Sequence, residues 1–106
     1  MANFESIVEA IKALSVLKVV GSDRKFVTAA ATREPMAFPD ETKCVLLTAE
    51  LDNTGVMVLG GKTVVAALAT RKGTPLEAGD SALMPAKGLW FDTTVSGDGV
   101  TYTAFG

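Results

Sequence analysis

Turn-forming residues interrupt this chain so regularly that no long element can follow its first twenty residues. Gly21-Ser22-Asp23, Pro35 and Pro39, Asp52-Asn53-Thr54-Gly55, Gly60-Gly61, Gly73-Thr74-Pro75, Gly79, Pro85 with Gly88, and Ser96-Gly97-Asp98-Gly99 each stop what precedes them. Proline lacks the amide hydrogen that a helix interior or a central strand needs, and glycine takes turn conformations that other residues avoid. The segments left between the turns are short and rich in Val, Thr and Phe, which suit a pleated, half-buried surface. Roughly six to eight strands, with turn signals about every 8–12 residues, are the pattern of an all-β chain: a compact antiparallel β-sandwich or jelly-roll-like barrel. No strand alternates with a long helical pattern, which argues against a parallel α/β sheet.

The clearest local reading is Cys44–Gly61, CVLLTAELDNTGVMVLGG. Val45, Leu47, Ala49 and Leu51 fall on one face at period two, with Leu46, Thr48 and Glu50 on the other. The Asp52–Gly55 turn then leads into Val56–Leu59, and the pair reads as a β-hairpin. Strands are also expected at Val16–Val20, Lys25–Thr32, Ser81–Met84, Leu89–Val95 and Val100–Phe105, with Lys62–Thr70 as a strand or strand plus loop. Ser96–Gly99 reads as a second hairpin turn. Residues 33–40, with two prolines, read as an ordered irregular loop.

The N-terminus is different. Phe4, Ile7, Val8, Ile11 and Leu14 recur at three- and four-residue spacing, with Glu5, Glu9 and Lys12 opposite, so residues 3–14 carry an amphipathic helical pattern with Asn3 as N-cap. A helix of three to four turns is marginal alone in water, so its stripe requires a partner, either the chain's own sheet or another subunit. The expected organisation is residues 1–20 as N-terminal helix and first strand, an anchoring arm, and residues 21–106 as the sandwich.

The 106 residues suit one domain. At 48% hydrophobic residues and a mean hydropathy of +0.32, the chain is more apolar than a typical small soluble domain, which fits either a dense core or a contact surface. A net charge of −2 with no basic stripe lacks the footprint of nucleic-acid binding. The N-terminus has no signal-peptide pattern and no run long enough to span a bilayer, so a cytosolic product without membrane association is expected.

Catalytic and cofactor chemistry finds little footing. Histidine is absent, which removes Ser-His-Asp and Cys-His arrangements and imidazole-bound metals. The single cysteine, Cys44, lies in an apolar strand and reads as an inert buried residue. No glycine cluster precedes a helix in the manner of a phosphate-binding loop. Asp52, Asn53 and Asp98 are loop oxygens of the kind a hard cation takes, but their spacing matches no EF-hand, and no metal or cofactor is expected. Carboxylates beside the loops would serve a glycosidase only if two faced each other across a cleft. Trp90 and Tyr102 are candidates for stacking on a sugar ring; Trp90 and its neighbour Phe91 must point to opposite faces of their strand. An enzyme is not expected.

One resemblance spans residues 28–103. It is carried by Thr32-Arg33, Cys44-x-x-Leu47-x-Ala49, Asn53-Thr54-Gly55-x-Met57-Val58-x-Gly60-Gly61, Gly73-Thr74-Pro75-Leu76-x-Ala78-Gly79-Asp80-Ser81, Leu89-Trp90-Phe91-Asp92 and Val95–Tyr102. In their order and spacing these pieces resemble small virion accessory proteins of tailed bacteriophages, including head decoration, cement and fibre-base proteins. The resemblance implies a structural virion protein on the capsid surface, assembled in the host cytoplasm. Its partners would be the major capsid protein or other virion proteins, and it would be a homo-oligomer, often a trimer. A tail or fibre-base adaptor and a carbohydrate-binding module for host attachment are the alternatives. The N-terminal segment departs from the family's pattern, and its Phe4, Ile7, Ile11 and Leu14 are the candidate capsid contacts.

Overall fold

The computed structural model describes residues 17–106. The expected helix over residues 3–14, with Phe4, Ile7, Ile11 and Leu14, lies outside the described residues. Within them the chain is a β-sandwich of eight strands: β1 (Val19–Phe26), β2 (Glu34–Pro35), β3 (Cys44–Ala49), β4 (Met57–Gly60), β5 (Thr74–Leu76), β6 (Ser81–Pro85), β7 (Trp90–Thr93) and β8 (Gly99–Phe105). One four-stranded sheet, sheet A, has the order β1-β8-β3-β6; the other, sheet B, has β2-β7-β4-β5. Every pairing is antiparallel. The pairing is nested: first strand with last, second with seventh, third with sixth, fourth with fifth.

The two sheets face each other across one apolar core. Sheet A contributes Val45, Leu47 and Ala49 of β3 with Val100 and Ala104 of β8. Sheet B contributes Met57, Leu59, Leu76 and Phe91, while Val27 and Leu89 close the ends. The period-two reading of β3 holds for Val45, Leu47 and Ala49, each fully buried, but Leu51 is 85% exposed because the strand ends at Ala49 and the chain turns away. Phe91 is fully buried, and Trp90 points to the opposite side of sheet B, as adjacent strand residues must. There Trp90 and Val56 pack around buried Val58, Val64 and Ala66, a second, smaller apolar cluster.

Several sequence expectations change. Cys44–Gly61 is not a hairpin: β3 pairs with β6 and β8 in sheet A, whereas β4 pairs with β5 and β7 in sheet B. The Asp52–Gly55 turn is an arch between sheets. Ser96–Gly99 is likewise an arch, from β7 in sheet B to β8 in sheet A. The physical reason is that turn-forming residues allow the chain to reverse but do not decide which strand it will bond to; inter-sheet packing decides that.

Gly21-Ser22-Asp23 lies inside β1 rather than in a turn, with the irregularity confined to a bulge at Val20, where pairing shifts between Val19↔Phe105 and Gly21↔Ala104. The expected strand Lys25–Thr32 stops at Phe26, and Ala31 takes a positive φ of 60° in the turn that follows. The loop of residues 33–40 contains the two-residue strand Glu34–Pro35 at the edge of sheet B. Thr74–Leu76, expected as turn, is strand β5. Lys62–Thr70 is mainly loop: it holds one bridge, Val65↔Lys72, and a short 3-10 turn, Leu68–Thr70, and it lays Val64 and Ala66 over sheet B. Val19 and Val20 belong to β1, so the sandwich begins within the segment expected to be an arm.

Candidate interaction surface

The outer face of sheet A is where this sandwich departs from an ordinary solvated surface. Directly paired residues share a face, so the register assigns its rows across the four strands. The row nearest the entry of β1 is Val19, Phe105, Cys44 and Pro85. The next is Ser22, Thr103, Leu46 and Leu83, and the third is Arg24, Thr101, Thr48 and Ser81. One end is therefore apolar across every strand and the other is hydroxyl-lined. Val19 is 62% exposed, Leu83 49% and Leu46 41%. Such contiguous apolar exposure is the kind that marks a contact site.

The polar half is internally bonded. Thr48 Oγ1 and Ser81 Oγ lie 2.7 Å apart, and the Ser22 and Thr103 hydroxyls 3.5 Å apart. Ser22, Thr48, Thr101 and Thr103, with Arg24 and Leu46, floor a shallow open depression of about 440 Å³. At its far end Arg24 spans β8: Nε donates to Glu50 Oε2 at 3.0 Å and Nη2 to Glu50 Oε1 at 2.7 Å, and the guanidinium stacks 4.5 Å from the centre of the Phe26 ring. The hydrogen bond to Glu50 holds the Arg24 proton more firmly than usual; burial opposes it, and the charges of Glu50 and Asp52 add smaller contributions in the same direction as the bond. Gly99 makes room for this arrangement, since a Cβ there would sit 2.8 Å from Phe26 Cδ1 and 3.2 Å from Glu50 Cδ.

The residues singled out from sequence are dispersed. Cys44 is half-buried on the outer face of sheet A, not deep in the core. Trp90 lies on the outer face of sheet B, whereas Tyr102 faces the core side of sheet A, edge-on to Phe38 with ring centroids 4.9 Å apart. The two aromatics therefore share no platform. Burial of Tyr102, with the Asp23 carboxylate nearby, raises its phenol above the ordinary range.

Asn53 and Asp98 are committed to backbone. Asp98 Oδ1 accepts from Thr54 N–H at 3.1 Å and Oδ2 from Gly55 N–H at 2.9 Å. Asn53 Nδ2 donates to the Gly99 carbonyl at 2.9 Å, and Oδ1 accepts from Gly99 N–H at 2.8 Å. These four bonds lock the two arches together, and that is the role of Asn53 and Asp98, two of the three residues considered for a cation. Among the described residues no three His, Cys, Asp or Glu side chains gather as metal ligands, and no helix is long and apolar enough to cross a membrane.

Leu46, Leu83, Arg24 and Phe26 were not among the residues the sequence singled out. Their signal was present: Leu46 shares its strand face with Thr48, and Leu83 stands between Ser81 and Pro85, so β3 and β6 carry apolar residues on the side that should be polar. Comparison with known proteins finds no family model, no characterised protein and no solved structure that matches the chain.

Proposed function

We propose that this chain is a non-catalytic assembly component, in its most specific form a capsid decoration or cement protein. It would bind a protein shell in many copies and act by contact alone. The observation that carries the reading is the outer face of sheet A, apolar across all four strands at one end, on a sandwich in which the buried Glu50, Asp92 and Asp98 are engaged in backbone or ion-pair bonds. Buried Asp92 illustrates the engagement: its Oδ2 accepts from Ala66 N–H at 2.8 Å and its Oδ1 from Thr93 N–H at 2.9 Å.

Two further points favour the virion form. The nested strand order is that of a jelly roll, an architecture that recurs in viral capsid and lectin domains, an analogy of fold rather than of site. The resemblance over residues 28–103 points the same way. Many symmetric copies make modest contacts sufficient through avidity. The apolar end of sheet A and the stripe of Phe4, Ile7, Ile11 and Leu14 are the contact elements proposed.

The test is to purify tailed-phage particles from the source of this sequence and count copies per particle. Hundreds of copies fit a shell-binding role, a handful would replace it with an adaptor role, and none would overturn both. In reconstitution with stripped shells, the Leu46→Lys/Leu83→Lys protein should remain folded and lose at least about tenfold in binding, because each charge must be desolvated on contact. Unchanged binding would remove this face from the interface.

A further inference from the structure

We infer that β1 is a pairing edge for a second copy of this chain, joining two A sheets about a two-fold axis at Arg24. β1, with eight residues, is the longest described strand and the outermost of sheet A. Among the described residues no strand pairs with its outer side. An edge of that length is a template for another strand unless it is covered, bent or charged. Here the charges Asp23, Arg24 and Lys25 select a partner rather than repel every one.

The backbone fixes which groups are open. Val27 turns inward: its N–H donates to the Asp98 carbonyl at 3.0 Å, and its carbonyl accepts from Gly97 N–H at 2.9 Å. Direction alternates along a strand, so Lys25, Asp23 and Gly21 turn toward β8, while Phe26, Arg24 and Ser22 turn their groups outward. Arg24 agrees, since its N–H is met at 2.8 Å by the adjacent Asp23 Oδ1. In the free chain that carboxylate takes the place of a neighbouring strand.

Charge then selects the register. In a two-fold pair about an axis normal to the sheet, facing residues share a face, so one residue position lies on the axis. With Asp23 there, two carboxylates meet in a non-hydrogen-bonded pair, where side chains approach most closely. With Ser22 there, Asp23 faces Gly21 and Arg24 faces the bulge at Val20, so no charge is matched. With Arg24 there, each Asp23 faces Lys25 of the second copy, and these two opposite-charge pairs take the closest positions. Ser22 then faces Phe26 on the outer side. The two Arg24 side chains do not meet as bare charges, because each reaches back across β8 to Glu50, at 2.7 Å. Beneath β1, Asp23 and Lys25 line a cleft of about 210 Å³ with Pro35, Met36 and Tyr102, which leaves room for the incoming ammonium.

The product is one continuous sheet of four strands from each copy, with both apolar ends on the same side. It would present the proposed contact face twice. The pairing itself does not depend on the partner of that face being a shell.

Sedimentation of the full chain over a concentration series reads the pairing. The parent should move between monomer and dimer. Asp23→Lys and Lys25→Asp each turn two attractive pairs into repulsive ones, so each should raise the dimer dissociation constant at least about tenfold. An equal mixture of the two variants matches opposite charges again. It should form a mixed dimer at least about tenfold tighter than either variant alone, a rescue that a damaged fold would not give. A parent that stays monomeric up to about 1 mM, a trimer, or a dimer indifferent to both substitutions would overturn the proposal. Loss of the dimer in Leu46→Lys/Leu83→Lys, with the charge variants unaffected, would assign association to the face instead of the edge.

A second measurement reads the register. In a Cys44→Ser background, Ser22→Cys and Phe26→Cys chains are mixed under mild oxidation. Facing residues of a hydrogen-bonded pair have Cα atoms about 5.5 Å apart, within disulfide reach. The mixed disulfide should form at least about tenfold faster than either self-disulfide. A faster Ser22→Cys self-disulfide would move the axis to Ser22 and overturn selection by charge. Particle binding is scored separately, so failure of the pairing and failure of the shell-binding reading are distinguishable.

Discussion

Replacing Asp98 by alanine should release the two arches that carry the chain between sheets. Asp98 is only 5% exposed, and its two oxygens hold the Thr54 and Gly55 N–H groups at 3.1 and 2.9 Å. Hydrogen bonds to a charged acceptor contribute about 1.5–3 kcal/mol each. Thr54 is exposed and Gly55 half-buried, so water replaces part of each bond, and the lower end applies. The expected loss is about 3 kcal/mol, a large share of the 5–15 kcal/mol typical of a domain. In urea unfolding followed by circular dichroism, that corresponds to a midpoint lower by roughly 2 M for an m-value near 1.5 kcal/mol/M. In thermal unfolding it corresponds to roughly 12–15 °C for a chain of this size.

Asp98→Asn keeps one acceptor but turns an amide N–H₂ toward the other donor, so it should recover less than half of the loss. Asn53→Ala removes the two bonds to Gly99 and should cost about 2 kcal/mol. Because all four bonds hold the same pair of arches, the double variant should lose less than the sum, with a coupling of about 1 kcal/mol. An Asp98→Ala midpoint within about 0.5 kcal/mol of the parent would refute the lock. Full additivity with Asn53→Ala would show two independent contacts in its place.

Other consequences are simpler to state. Phe91→Ala, which empties a fully buried site, should cost about 3–5 kcal/mol, whereas Trp90→Ala, which strips a half-buried cover from the outer cluster of sheet B, should cost about 2 kcal/mol; comparable losses in urea unfolding would contradict the facing of the two residues. Gly73→Ala combines a φ of +120° with a Cβ placed 2.6 Å from the Leu59 carbonyl oxygen, so it should lower the urea midpoint by more than about 2 kcal/mol of stability, and a neutral result would place the β4–β5 approach elsewhere. Tyr102 is the only tyrosine, so phenolate absorbance reports it alone. Since its folded value is raised, its stabilising contribution is complete below about pH 10 and is lost as pH rises through the folded value. The absorbance should therefore rise at higher pH in the native protein than in urea, and Tyr102→Phe should soften the alkaline decline in stability. Coincident titrations would refute the burial of the ring.

What could be read from the residues alone was what depends on near neighbours along the chain. Alternation in Cys44–Ala49 placed Val45, Leu47 and Ala49 inward because successive side chains of a strand leave on opposite faces, and the same rule separated Trp90 from Phe91. Glycine and proline marked most of the places where strands end, and the all-β character followed from their spacing. Local pattern could not assign strand partners. Asp52–Gly55 and Ser96–Gly99 satisfy a hairpin and an arch equally well, because both need only a reversal; β4 joined sheet B because Met57, Val58 and Leu59 bury on both sides, which a two-stranded hairpin with β3 cannot provide. Nor could it show that Leu46, Leu83, Cys44 and Phe105 share a face, since their adjacency is created by pairing across as many as 61 residues of separation between Cys44 and Phe105. Periodicity is short-range and written in the chain, whereas partner choice is settled only when two sheets exclude water from between them.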